Sequence, residues 1–133
     1  MIGCLLDSSF VIDLLNEVAD GAAGPAIQWL RRNPRAELWI SPVTYAEVLE
    51  GAVSPVAVRA RLMRFRWQTL AHAQAEKVAL RQRRARRRLG ENDAWQVAIA
   101  ECMDGIIVGH DEKAFGHLGD RYQDHRRTIA TTT

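Results

Sequence analysis

The sequence predicts an α/β fold: a central, mostly parallel sheet of four to five short strands flanked by helices. Three observations predict it. Two runs, Ile2-Gly3-Cys4-Leu5-Leu6 and Ile106-Ile107-Val108, have strand length and no polar alternation, as expected of strands buried on both faces in a parallel sheet. Segments with helical spacing and recognisable caps fill the intervals between apolar runs, the pattern of βα units. At 133 residues, 47% hydrophobic and 26% charged, residues 1–133 suffice for one domain core and call for no second.

The first apolar run stops at Asp7-Ser8-Ser9, so Asp7 stands beyond the carboxyl end of a strand, where ligands of open α/β sheets collect. On this ground alone Asp7 is equally a capping or turn residue. Phe10, Val11, Leu14, Leu15 and Val18 then recur at helical spacing up to Asp20-Gly21. Asp13, nearly two turns into that helix, reads as a solvated or structural acid. Gly24-Pro25 opens a second helix that Asn33-Pro34 stops.

Leu38-Trp39-Ile40 is a short apolar run closed by Ser41-Pro42, an N-cap followed by proline at the first helical position. In the helix that follows, Glu47 borders apolar residues, with Glu50 as a nearby competitor for any role. Ser54-Pro55 repeats the cap, and the helix it opens carries Arg59, Arg61, Arg64 and Arg66. Trp67 to Leu70 reads as a short strand or a linker. Ala71 to Leu89 has strong helix-forming composition throughout. Gly90 ends it, Asn92 is the expected N-cap of the next helix, and Asp93 lies in the first turn of that helix, where the macrodipole favours an acid.

That helix descends roughly 16 Å to Asp104 at about 1.5 Å per residue, and the strand after Gly105 climbs back about 20 Å to Asp111 at about 3.3 Å per residue. Asp93 and Asp111 should therefore meet at one end of the sheet. Lys113 to Leu118 predicts a short helix, and Thr128-Ile129-Ala130 an edge strand.

A net charge of +2 conceals an asymmetry: the stretch from Arg59 to Gly90 carries +10 and the remainder −8. A basic arm on an acidic body points to a polyanionic partner. Cys4 and Cys102 have no neighbouring Cys or metal-type Cys/His spacing, so both are expected reduced and buried, without disulfide or zinc. No apolar run is long enough to span a membrane and no secretory signal is evident at the N-terminus, which together predict a cytoplasmic protein.

Asp7, Asp93 and Asp111 should converge on one edge within reach of Glu47. At about 5 Å and an effective dielectric near 20, each carboxylate pair repels by about 3 kcal/mol, so such a cluster calls for a cation. Oxygen-only ligands favour Mg²⁺ or Mn²⁺ over zinc, and such an ion is suited to phosphodiester hydrolysis.

In Leu5-Leu6-Asp7-Ser8-Ser9-Phe10-Val11-Ile12, Thr44-Tyr45-Ala46-Glu47-Val48-Leu49-Glu50-Gly51, Gly90 with Asn92-Asp93-Ala94-Trp95-Gln96-Val97-Ala98-Ile99-Ala100, and Ile107-Val108-Gly109-His110-Asp111 with Phe115, the chain resembles the PIN-domain ribonucleases, specifically VapC-type toxins of bacterial toxin–antitoxin pairs. The resemblance implies a PIN-like domain, metal-binding and catalytic acids at Asp7, Glu47, Asp93 and Asp111, and Glu47 over Glu50. It also implies Mg²⁺-dependent cleavage of RNA, tRNA or rRNA by family habit, a homodimer and a VapB-like antitoxin.

The chain departs from the family at Gly109, where a Thr or Ser hydroxyl is usual. Ser8 and Ser9 are candidate substitutes and His110 a candidate phosphate or proton contact. Arg81, Arg84, Arg87 and Arg88 are the expected RNA-binding residues. The rival reading is a non-catalytic nucleic-acid-binding module built on the basic helices between Arg59 and Arg88.

Overall fold

A computed structural model describes residues 2–127. The strands are β1 (Gly3–Leu6), β2 (Glu37–Ile40), β3 (Arg66–Trp67), β4 (Ile106–Gly109) and β5 (Tyr122–Asp124). The helices are α1 (Ser8–Asp20), α2 (Pro25–Arg32), α3 (Pro42–Glu50), α4 (Pro55–Leu62), α5 (His72–Arg84), α6 (Glu91–Cys102) and α7 (Glu112–Phe115), the last followed by a 3₁₀ turn at Gly116–Arg121.

All pairings are parallel and the strand order is β3-β2-β1-β4-β5. The order reverses at β1: β2 and β3 lie on one side, β4 and β5 on the other. The gap beyond the carboxyl ends of β1 and β4 is therefore the topological switch point, where open α/β sheets bind ligands. Register fixes which acids border it. Leu6 pairs with Val108, so Asp7 follows β1 beside the end of β4.

Both faces of the sheet are covered, which is why β1 and β4 show no alternation. Cys4, Leu6 and Val108 pack on one face with Phe10, Val11, Ala26, Trp29 and Ile40. Leu5 and Ile107 pack on the other with Val97, Ile99, Ala100 and Phe115. Phe10 is fully buried and meets Trp29 edge to face at 5.5 Å.

The Ser41 cap is realised: Ser41 Oγ accepts the Thr44 amide at 3.2 Å with Pro42 at the first helical position. Two helix boundaries differ from expectation. The basic helix stops at Arg84, Ala85 turns extended, and the Gln82 amide bonds both backbone groups of Leu89 at 3.0 Å, strapping the following loop to α5. Propensity favours continuation, but a run of like-charged arginines gains nothing from stacking in one helix and the Gln82 strap rewards the turn.

The cap of α6 is Gly90, not Asn92. A side chain at position 90 would lie 3.0 Å from the Asp93 carboxylate, so the bare Gly90 backbone lets that carboxylate fold back over the helix start. Cys4 is buried and Cys102 is only half-buried, contrary to the expectation for the latter; neither is bridged. Burial raises the Cys4 thiol to about 11, leaving it an inert packing residue. The strand expected at Thr128-Ile129-Ala130 lies outside the described residues. Among the described residues no helix is long and apolar enough to cross a membrane.

Candidate active site

Asp7 occupies the N-cap position of α1, yet its side chain makes no capping bond; its backbone carbonyl accepts Phe10 and Val11 amides instead. The carboxylate is left for other partners. It is 6% exposed and held at both oxygens by neutral donors. Ser9 Oγ donates to Oδ2 at 3.0 Å, and Gln96 Nε2 approaches Oδ1 at 3.4 Å.

Gln96 belongs to a buried chain that determines its orientation. Ser41 Oγ donates to Gln96 Oε1 at 2.6 Å, Gln96 Nε2 donates to Thr44 Oγ1 at 2.8 Å, and Thr44 Oγ1 donates to the Leu6 carbonyl at 2.8 Å. An amide with Oε1 taken by a hydroxyl can only present N–H toward Asp7. The network thus binds α3, α6 and the end of β1 around one carboxylate. Sequence reading missed it, because Gln96 interrupts the buried stripe of α6 and reads as a polar face.

Ser9 also accounts for Gly109. Besides bonding Asp7, Ser9 Oγ accepts the His110 amide at 3.0 Å. A side-chain carbon at position 109 would lie 2.7 Å from Ser9 Oγ and 2.9 Å from Asp7 Cβ. The hydroxyl that touches Asp7 comes from α1, and it fills the space a residue at 109 would need. Ser8 instead faces Glu47.

The other acids close on the same edge. Glu47, half-buried on α3, has its carboxyl pushed up by burial and then by the Asp7 and Asp93 charges, with Asn92 and Ser8 offsetting part of the effect. Asp93, half-buried at the start of α6, is pushed up by burial and by the Asp111 and Asp7 charges. Asp111 is exposed, and its Oδ1 caps α7 through the Ala114 amide at 3.2 Å. Glu50 is exposed. Glu47 and Asp93 thus each feel the Asp7 charge, Glu47 feels Asp93, and Asp111 acts on Asp93.

Among the described residues, no three His, Cys, Asp or Glu side chains stand close enough together, as they lie, to hold a metal ion between them. The donor set fits Mg²⁺ or Mn²⁺ all the same, because a hard ion of this kind is held through one or two carboxylates and keeps water in its remaining positions.

Asp7, Asp111 and His110 line a cavity of about 640 Å³ together with Asp13, Asn16 and Arg126. Asp13 is a structural acid, yet it belongs to the site's surroundings. Arg126 grips it with Nε and Nη2 at 2.9 and 2.8 Å, and His125 Nε2 meets it at 2.8 Å. Burial raises the Asp13 carboxyl, but the hydrogen bonds and charges of Arg126 and His125 outweigh it and hold Asp13 below the usual range. His110 Nε2 lies 3.9 Å from the same Asp13 oxygen.

The expected RNA-binding arginines divide. Arg81 pairs with Glu101 and Arg88 with Glu91. Arg84 and Arg87, with Lys77, Arg81 and His117, line a separate cavity of about 570 Å³ against Glu101 near the far end of α6. Glu101 on that cavity lies about 12 Å along α6 from Asp93, at about 1.5 Å per residue.

Among solved structures, the fold is similar to a toxin–antitoxin complex from Klebsiella pneumoniae at 25% identity and a TM-score of 0.73, covering 92% of this chain and 97% of that one. It is similar to VapBC-1 from nontypeable Haemophilus influenzae at 19% identity and a TM-score of 0.72, covering 95% and 100%. It is also similar to FitAcB from Neisseria gonorrhoeae at 14% identity and a TM-score of 0.71, covering 92% and 97%. No curated protein sequence matches. The PIN domain family model matches residues 4–120, and with that span the chain belongs to the PIN-domain family.

Proposed function

We propose that this chain is a metal-dependent endoribonuclease, the VapC-type toxin of a toxin–antitoxin pair. The observation that carries the reading is the coupling among acids at the switch point: Glu47 and Asp93 have carboxyls raised by burial and by the charges of Asp7 and, for Asp93, Asp111. Like charges are brought together against such a cost where a cation is to be held. The solved relatives that are toxin–antitoxin complexes support the toxin assignment and a VapB-like antitoxin as partner. We assign RNA, of tRNA or rRNA class, as substrate and a homodimer as the assembly on the family resemblance.

A bound Mg²⁺ or Mn²⁺ supplies an activated water and charge stabilisation for the leaving oxygen. The chain's own residues prepare the place. Asp7 is fixed by Ser9 and Gln96, so one carboxylate is presented in a single orientation. Asp93 is set by the Gly90 cap, Glu47 borders the pair, and Asp111 has one oxygen engaged by α7 while the other has no hydrogen-bond partner among the described residues. Arg84 and Arg87, the arginines of the predicted set that make no ion pair among the described residues, hold RNA backbone beyond the cut, with Arg81 and Arg88 reached through their acid partners. Phosphate contacts of this kind supply affinity without sequence choice.

The test is incubation of total RNA with purified protein, with Mg²⁺ or EDTA, beside Asp7→Asn and Asp93→Asn. Cleavage in Mg²⁺ alone, lost in both variants, is expected. Cutting in EDTA, or full activity in both variants, overturns the mechanism. The rival binding module predicts salt-sensitive RNA binding with no cutting in any condition.

A further inference from the structure

The cavity beside the acids is lined by Asp7 and Asp111 and also by Arg126, the only arginine or lysine lining it among the described residues, with its side chain 50% exposed. Its anchor is unusually firm: Asp13 accepts two of its N–H groups and one from His125, a histidine with a wholly buried side chain packed edge to face on Phe10 at 4.8 Å. The Asp13 bonds occupy Nε and one hydrogen of Nη2. Nη1 and the second Nη2 hydrogen meet no acceptor among the described residues, and a guanidinium already fixed in place loses little freedom when it binds a phosphate.

The anchor is continuous with the acid cluster. His110 stands 3.9 Å from Asp13 through Nε2, and its amide bonds the same Ser9 hydroxyl that holds Asp7.

We propose that Arg126 is a phosphate-contact residue that receives a backbone phosphodiester of the nucleic-acid strand next to the one presented to the acids, so that the strand crosses the first turns of α1 through this cavity. The inference rests on the reading of the site as a nucleic-acid site. A cavity of about 640 Å³ is of the size that accommodates a small ligand group. Asp13 and His125 position Arg126 and do not themselves meet the strand.

The experiment measures affinity, not cutting. Binding of a fluorescein-labelled single-stranded RNA is followed by anisotropy in EDTA at several salt concentrations, for the full chain, Arg126→Ala and Asp13→Asn, each checked for folding by circular dichroism. Arg126→Ala is expected to bind about tenfold more weakly, with a log–log salt slope smaller by about 0.7, the share of one phosphate on a single strand. Asp13→Asn loosens the anchor of the guanidinium but keeps its charge, so it is expected to lose less affinity than Arg126→Ala, with the salt slope unchanged.

Unchanged affinity and slope in Arg126→Ala, or equal losses in both variants, assigns Arg126 to the tether alone and overturns the proposal. Full displacement of the RNA by millimolar inorganic phosphate marks a free-anion site and overturns the strand assignment. If the parent fails to cut RNA in Mg²⁺ while Arg126→Ala still loses affinity and slope, the nuclease reading fails and this one stands.

Discussion

Two acidic regions face the same cavity and are settled in opposite ways. Around Asp13, fixed groups inside the chain neutralise the charge: Arg126 and His125 hold the carboxylate below its usual range. Around Asp7, the nearest donors are a serine and a glutamine, both neutral, and the neighbouring charges are more acids. An internal cation makes an acid part of the scaffold, whereas acids left to repel one another keep a place for a cation from outside. Residue type does not distinguish the two; partners do.

The sharpest way to break this contrast is to remove one charge from each region. Asp13→Ala strips three donors of their acceptor and should cost about 2 kcal/mol in urea unfolding, in the range of lost hydrogen bonds to charged groups. Asp93→Asn should leave metal-free stability unchanged or higher, because it relieves repulsion, while abolishing RNA cleavage. Destabilisation of both variants alike would erase the distinction.

Gly109→Ala probes the neutral side of the contrast. Its methyl group meets Ser9 Oγ and Asp7 Cβ, an overpacking expected to cost about 1–3 kcal/mol, and it displaces the hydroxyl that holds Asp7. Adding Ser9→Gly should return part of the lost stability, read as a shift in the urea midpoint. Gln96→Leu is expected to cost about 1–2 kcal/mol by leaving the Ser41 and Thr44 hydroxyls without their amide partner.

The smallest effect is in pH. Raised carboxyls at Glu47 and Asp93 mean that the folded, metal-free chain binds protons more tightly than the unfolded one, so their contribution to stability falls as pH rises from the ordinary values of 4.5 and 3.8 through the raised ones. Asp13 has the opposite sign: its contribution is complete above 3.8 and is lost as pH falls through its lowered value. Unfolding curves between pH 2 and 7 in EDTA should therefore show a smaller neutral-side decline in Asp93→Asn, with the part owed to Glu47 remaining, and a smaller acid-side loss in Asp13→Asn.

Much of the scaffold is legible in the chain because its signals are local. The apolar runs of β1 and β4 and the Ser41-Pro42 cap name their own structure, and counting residues down α6 and back up β4 places Asp93 beside Asp111. What escapes is carried by contacts distant in sequence. Gln96 reaches Ser41 across 55 positions and Asp7 across 89, and no pattern in α6 announces that its one buried amide orients a carboxylate. The end of α5 at Arg84 depends on a side chain seven residues away from the backbone it straps. Position 109 shows an absence in sequence; only the structure shows that Ser9 fills the space.

The Asp13 tether also has a consequence in time. His125 and Arg126 meet Asp13 across 112 and 113 positions, among the longest closures in the molecule. A chain emerging from the ribosome builds its N-terminal units first, and contacts of such separation form last. The part of the cavity lining that Arg126 supplies is therefore missing until residues 125 and 126 have been synthesised.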